Sequence, residues 1–308
     1  MRGLLIPLVV TLLATPALAH DYWLAPVTHV VPSDREVGVS LLVGEKLVSE
    51  EDRQFETDRT PRIDLVHGTK ITDHRPVAIE GAMPFLTVSL RGAGGHLLVV
   101  DRVPANVELD AARFETYIKE EGHRGIIEER AKRGESTSPG RERYRRNLKA
   151  LFQVGAAHDQ TFAHDAGQTI ELIPEQHPTF AAPGESVTFR LTFRDKPLAN
   201  HHLVALSKGT GAVAVVHSTE YTTDADGRVK IAIDRRGNWL IRGAHMIRCE
   251  AECDAVEWDS FWVAYTFANP VIAAAPGGVP MFAIVGAAAG ALVLLLVGVG
   301  VFRYVSRT

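Results

Sequence analysis

Short β-prone runs separated by turn-forming residues fill two stretches of the chain, residues 20–107 and 165–268. In the second stretch Val187, Phe189 and Leu191 recur with a period of two, as expected for a strand with one buried face. The predicted strands are 37–43, 62–66, 76–79, 85–90 and 96–101, then 169–173, 186–193, 203–207, 213–217, 228–233, 239–244 and 260–267. Their spacing in the second stretch is typical of an immunoglobulin-like sandwich. We therefore predict a mainly β protein with two β-sandwich domains.

Between these two domains the pattern changes to helical spacing, over residues 108–153. Asp110 is a candidate helix cap, and Phe114, Tyr117 and Ile118 after it share one helical face. A second helix is predicted over residues 141–152, because apolar residues recur there at i, i+4, i+7 and i+8. Its other face is basic, which is typical of a solvated face, with attraction to anionic lipid as the alternative.

The two ends of the chain carry targeting signals. Residues 1–19 predict a cleaved secretory signal peptide, with Arg2, a short apolar run and a small-residue cleavage site that ends at Ala19; an uncleaved anchor is the alternative. Residues 269–280 predict a linker, and residues 281–302 a transmembrane helix long enough to cross the bilayer. Arg303 and Arg307 place the C-terminus in the cytoplasm. We therefore expect the folded part on the periplasmic side of the bacterial inner membrane.

Charge and composition narrow the classes of function. The net charge of −4 argues against a nucleic-acid partner. No nucleophile elbow, phosphate-binding loop or H-E-x-x-H motif is present, so we do not expect an enzyme. The chain has thirteen histidines but only two cysteines and four methionines. Because imidazole is the commonest protein ligand for metals, the histidines are the candidate metal ligands.

His20 is the leading candidate ligand because cleavage after Ala19 makes it the first residue of the mature chain. Its α-amine and imidazole both lose a proton near neutral pH and together can chelate one ion. Such nitrogen donors suit Ni(II), Co(II), Cu(II) and Zn(II) rather than Mg(II) or Ca(II). A frayed terminus would not form a site. However, the segment around Tyr22 and Trp23 is apolar enough to pack as a strand.

Spacing alone does not identify a second ligand. His245 ranks first because it follows the predicted strand 239–244, and His67 ranks next because it precedes a turn. The weaker candidates are His158, His164, His201 and His202.

Cys249 and Cys253 are the only cysteines. In an oxidising compartment they favour a small disulfide loop, and a thiolate metal site beside His245 is the alternative.

Several turn and strand signatures resemble one known family. They are Arg143, Tyr144, Lys149, Val154, Gly155, Gly167, Glu171 and 172–174, then 184–187, 196–198, 222–227, 237–239, Ala244 and His245, with Ala19, His20, Tyr22 and Trp23 at the start. The chain resembles the periplasmic component of nickel and cobalt uptake transporters, a family also catalogued as a domain of unknown function.

The resemblance implies capture or delivery of Ni(II) or Co(II) for integral membrane transporter subunits. It extends to His20 and His245 as ligands, whereas the cysteine pair is not part of the family pattern. Two other classes stay open: a structural or adhesive envelope module that binds protein or glycan, and a copper enzyme built on the terminal histidine.

Overall fold

The computed structural model describes residues 20–209 and 214–270. The predicted signal peptide and transmembrane helix, and the predicted linker beyond Pro270, lie outside the described residues. Within the described ranges, no helix is both long and apolar enough to cross a membrane.

The described residues form one compact unit that consists mainly of strands. In chain order the elements are β1 (Asp21–Pro26), β2 (Val30–Val31), β3 (Arg35–Glu45), β4 (Val48–Arg53), β5 (Arg62–His67), β6 (Lys70–Asp73), β7 (Leu86–Leu90), β8 (Gly94–Leu109), α1 (Ala111–Glu120), α2 (Arg124–Lys132), β9 (Gly140–Val154), β10 (Ile170–Pro174), β11 (Glu185–Phe193), β12 (Lys196–Pro197), β13 (His202–Lys208), β14 (Val216–Thr222), β15 (Arg228–Ile233), β16 (Gly237–Arg248) and β17 (Trp258–Asn269).

A nine-stranded sheet forms the middle layer, in the order β14-β13-β16-β17-β9-β8-β5-β6, with β2 paired to β9. One four-stranded sheet, β1-β3-β4 with β7 on β3, covers one face of it. A second, β10-β11-β12 with β15 on β11, covers the other. Successive residues of the central strands point to opposite faces: Leu98 and Val100 pack toward β1 and β3, whereas Leu97 and Val99 pack toward β10 and β11. The inner strands of the central sheet are therefore buried on both sides.

The prediction of a mainly β, sandwich-like protein is confirmed. The two predicted β domains, however, share the central layer. Strands β5 and β8 come from the first domain and β13, β16 and β17 from the second, and β9 joins them by pairing antiparallel with β8 and parallel with β17.

The prediction of a helix over residues 141–152 is wrong, because this segment is part of strand β9. Tyr144, Leu148 and Phe152 are spaced by four residues, which fits one face of a strand as well as one face of a helix. Pairing on both sides decides the outcome, since β8 and β17 use the backbone hydrogen bonds of β9 while the sheets above and below bury its side chains. The predicted strand at 76–79 is also wrong, because residues Arg75–Val77 form a 3-10 turn that contains Pro76.

Helix α1 agrees with its prediction. The Asp110 carboxylate accepts a hydrogen bond from the Arg113 backbone N–H at 3.0 Å, and Phe114, Tyr117 and Ile118 are buried. These three side chains pack on Trp258 and Trp262 of β17 in a third apolar cluster. Helix α1 therefore covers part of the face of the central sheet that also receives β1.

Candidate functional site

Strand β1 holds His20 in place. Asp21 pairs with Gly44 of β3, and Trp23 and Leu24 are buried in the core. The His20 imidazole is only 16% exposed, and its Nε2 atom lies 3.1 Å from Oε2 of Glu50 on β4. The expected strand around Tyr22 and Trp23 is confirmed as β1, which begins directly after His20.

A second set of contacts fixes the residue that follows His20. The Asp21 carboxylate forms an ion pair with Arg242 of β16, and Arg242 also pairs with Glu121 at the end of α1. Burial raises the pKa of Asp21 and of Glu121, and the Arg242 guanidinium opposes both shifts. This buried triad links β1, the central sheet and α1 directly beside His20.

His20 is one of the residues that line a pocket of about 170 Å³. The pocket lies between β1, β8, α1 and the paired strands β9 and β17. Its lining residues are His20, Tyr22, Val43, Arg53, Asn106, Val107, Leu109, Tyr117, Glu142, Tyr144, Arg146 and Trp262.

A buried carboxyl group forms one part of the pocket lining. Oε1 of Glu142 accepts hydrogen bonds from the Tyr117 hydroxyl at 3.1 Å and from the Ser260 hydroxyl, which in turn accepts one from the Trp262 indole N–H at 3.2 Å. Burial raises the pKa of Glu142, and burial together with the charge of Glu142 raises the pKa of Tyr117 well above its usual value.

Arg146 forms another part of the lining and is surrounded by aromatic rings. Its guanidinium carbon lies 4.1 Å from the ring centre of Tyr22, 4.9 Å from that of Trp262 and 5.1 Å from that of Tyr144. Its Nε is buried without a hydrogen-bond partner, and Arg146 forms no ion pair with any residue in the described ranges. Burial lowers its pKa, but a guanidinium remains protonated at neutral pH.

His245 lies on the other side of the central sheet from this pocket. Its neighbour Ala244 pairs with Trp262, whereas His245 itself pairs with Phe261, which points toward the β10–β12 sheet. The His245 ring packs against Phe193 at 4.6 Å and His201 at 5.3 Å between ring centres. Burial lowers the pKa of His245 to about 4, so its imidazole is neutral at pH 7.

His67 occupies a third location. Its Nδ1 lies 2.8 Å from the backbone oxygen of Gly95, and its ring stacks on His96 at 4.1 Å between centres. The structure therefore does not bring His20, His67 and His245 together. Among residues 20–209 and 214–270, no group of three or more His, Cys, Asp or Glu side chains is arranged to hold a metal ion.

Cys249 and Cys253 are joined by a disulfide in the turn that follows β16. The bond leaves no thiolate beside His245. Arg143 of β9 donates to the backbone oxygen of Ala251 at 2.9 Å, which fixes this loop against the central sheet.

Sequence reasoning missed the pocket because it assigned β9 to a helix. The signal that could have revealed it is the interleaving of aromatic and basic residues in Arg143–Arg146, which places Tyr144 and Arg146 on one face of a strand and Arg145 on the other.

Comparison with known proteins places the chain in a family of undefined activity. The chain belongs to the family described as "Domain of unknown function (DUF4198)", whose profile matches residues 17–247. No curated protein matches the chain. Among solved structures it is similar to the D0-D1 domain of Intimin, at 12% identity over 80% of this chain and 97% of that one, with a TM-score of 0.18. A likeness this weak carries no argument about function.

Proposed function

We propose that this protein is a membrane-anchored periplasmic accessory protein of a nickel or cobalt uptake system, and that it binds the divalent ion through His20 after removal of the signal peptide. The observation that carries the proposal is the His20–Glu50 contact of 3.1 Å at the start of a paired strand. The resemblance of the sequence to nickel and cobalt transport components supports the choice of metal and of membrane transporter subunits as partners.

The contact assigns a role to each nitrogen of His20. With Nε2 donating to Glu50, Nδ1 is left as the ligand atom, and it can close a chelate ring with the α-amine of the same residue. A carboxylate that accepts from the other ring nitrogen is the common arrangement around metal-bound histidine, since it fixes the tautomer and the ring orientation. The remaining coordination positions stay open, which suits an ion that is passed on. His245 and His67 lie elsewhere and are not part of this proposed site.

The first test concerns the α-amine. The full-length chain, exported and purified in detergent, is titrated with Ni(II), Co(II), Cu(II) and Zn(II) by calorimetry, beside a version with one extra alanine before His20. Mass spectrometry first verifies that the mature chain starts at His20. The extra residue keeps the imidazole but moves the amine away, so we expect weaker binding of every ion, with Cu(II) bound tightest. Equal affinity of the two versions would refute the chelating terminus, and no binding of any ion would favour the adhesive module.

The second test concerns Glu50. We expect Glu50→Gln to lower metal affinity by about 10-fold to 100-fold, as is typical for a residue that orients a ligand. The matched control is Glu51→Gln, because Glu51 is a neighbour on the same strand that pairs with Arg53 instead of His20. An equal effect of both substitutions would indicate only a general loss of negative charge near the site.

A further inference from the structure

The guanidinium of Arg146 has hydrogen-bond donors that the described protein does not use. Contacts with Tyr22, Tyr144 and Trp262 stabilise the cation through the ring faces. Such contacts do not replace hydrogen bonds to the in-plane N–H groups, and a buried donor without a partner is costly. Two other arginines of β9 show the usual solution, since Arg141 pairs with Glu257 and Arg143 with Asp259. Arg146 differs from both because it faces a pocket.

The other lining residues indicate which kind of ligand the pocket would fit. Tyr22, Tyr117, Tyr144, Trp262 and Val107 provide flat apolar walls. The cavity volume of about 170 Å³ is far above the roughly 10–15 Å³ that a single water needs. An apolar pocket with one convergent charged group is the usual form of a small-molecule site.

Among the described lining residues, Glu142 is the only acidic side chain, and it does not cancel the charge of Arg146 by pairing with it. Its Oε1 is occupied by the hydroxyls of Tyr117 and Ser260. Burial raises the pKa of Glu142. Arg53, another lining residue, is already paired with Glu51. Among the described lining residues, Arg146 is therefore the charged group whose hydrogen-bond donors are left for an entering anion.

We propose that this pocket binds a small organic carboxylate with a planar apolar body. The carboxylate would accept from the in-plane N–H groups of Arg146, for which two-point pairing is the preferred geometry. The apolar body would pack against the rest of the aromatic and aliphatic lining, which a bare oxyanion would leave unfilled. This inference goes beyond the metal site at His20 and does not depend on it.

The test uses the full-length chain in buffer from which metals have been removed by a chelating resin. Binding of benzoate, benzamide, acetate and inorganic phosphate is measured by calorimetry and by tryptophan fluorescence, since Trp262 lines the pocket. We expect benzoate to bind, and Arg146→Met to weaken it by about 10-fold or more, as for loss of a charged hydrogen bond. The matched control is Arg133→Met, which replaces an exposed arginine directly after α2 that pairs with Glu129, and it should leave benzoate binding unchanged.

A second variant and the comparison ligands test the proposal even if Arg146→Met fails to fold. Val107→Trp fills the pocket and leaves Arg146 in place, so it should also abolish benzoate binding. Equal binding of benzamide would overturn carboxylate recognition, and equal binding of acetate or phosphate would overturn the organic ligand. Absence of benzoate binding would overturn the proposal. Glu50→Gln changes a residue outside the pocket lining, so it should lower metal affinity and leave benzoate binding unchanged, which separates the two sites.

Discussion

Lys149 and Glu171 show how completely single charges are buried in this protein. Their side chains are 2% and 1% exposed and form a direct ion pair between β9 and β10. Glu171 also accepts from the backbone N–H groups of Ala166 and Gln168, at 2.6 and 2.9 Å. The basic residues of 141–152, expected on a solvated face, are thus paired with carboxylates, stacked on aromatic rings or buried. Arg141, at the start of β9, keeps 41% of its side chain exposed.

We predict that Glu171→Ala lowers the free energy of unfolding by about 3–5 kcal/mol, because it leaves the Lys149 ammonium buried without its partner. The measurement is urea unfolding followed by tryptophan fluorescence. The control is Glu250→Ala, which removes the Arg194–Glu250 pair whose side chains are 50% and 59% exposed. That change should cost no more than about 1 kcal/mol. Similar losses for the two variants would contradict the assignment of a buried charge.

At the scale of elements, helix α1 forms one wall of the pocket, and its cap and buried face agree with the prediction from the sequence. Tyr117 reaches the pocket from this helix, and Phe114 packs so closely on Gly140 that a Cβ there would lie 2.2 Å from the ring. The start of α1 is therefore fixed by its cap on one side and by the start of β9 on the other.

We expect Asp110→Ala to destabilise the protein by about 1 kcal/mol, because the first turn of α1 loses the side-chain acceptor for the Arg113 N–H. Asp110→Asn keeps an oxygen at the same position and should retain most of the stability. Thermal unfolding by circular dichroism measures both. If the alanine and asparagine variants melted together below the parent, loss of the charge rather than of the cap would be the cause.

At the scale of the whole molecule, buried histidines make the fold sensitive to acid. Burial lowers the pKa of each of five imidazoles: His29, His123, His177 and His245 to about 4, and His201 to about 3. Above the ordinary histidine pKa of about 6.5 the folded and unfolded chains both carry these groups neutral, and stability is complete. Between pH 6.5 and 4 only the unfolded chain takes up protons, so stability falls as the pH falls.

We therefore predict that the melting temperature drops steeply from pH 7 to pH 4.5. Each fully buried imidazole contributes up to about 3 kcal/mol to that loss, at about 1.4 kcal/mol per pKa unit. The buried carboxyls of Asp21, Glu121 and Glu142 have raised pKa values and work in the opposite direction. Replacing His123 and His201 by asparagine should flatten the pH dependence. A melting temperature that is constant over this range would contradict neutral burial of the histidines.

Only part of the candidate site could be predicted from the sequence. The cleavage site after Ala19 singles out His20, because that inference needs only local residues. The contact with Glu50 could not be predicted, because β1 and β4 are brought close only by pairing with opposite edges of β3. Asp21 of β1 and Ser49 of β4 both pair with Gly44 of β3. Arg146 and Glu142 were missed for the same kind of reason, since their surroundings come from β1, β17 and α1.

The sequence by itself determined the β character, most strand positions, the cap of α1 and the special status of His20, because these depend on local periodicity and short signals. Tertiary structure decided that residues 140–154 form a strand, that both halves share one central sheet, and that His20 and His245 lie on opposite faces of it. Those outcomes depend on strand pairings between distant parts of the chain, such as β9 with β17, which are more than a hundred residues apart. A spacing of four residues fits a helix and a strand equally well, so only the pairing of β9 with β8 and β17 decides between them.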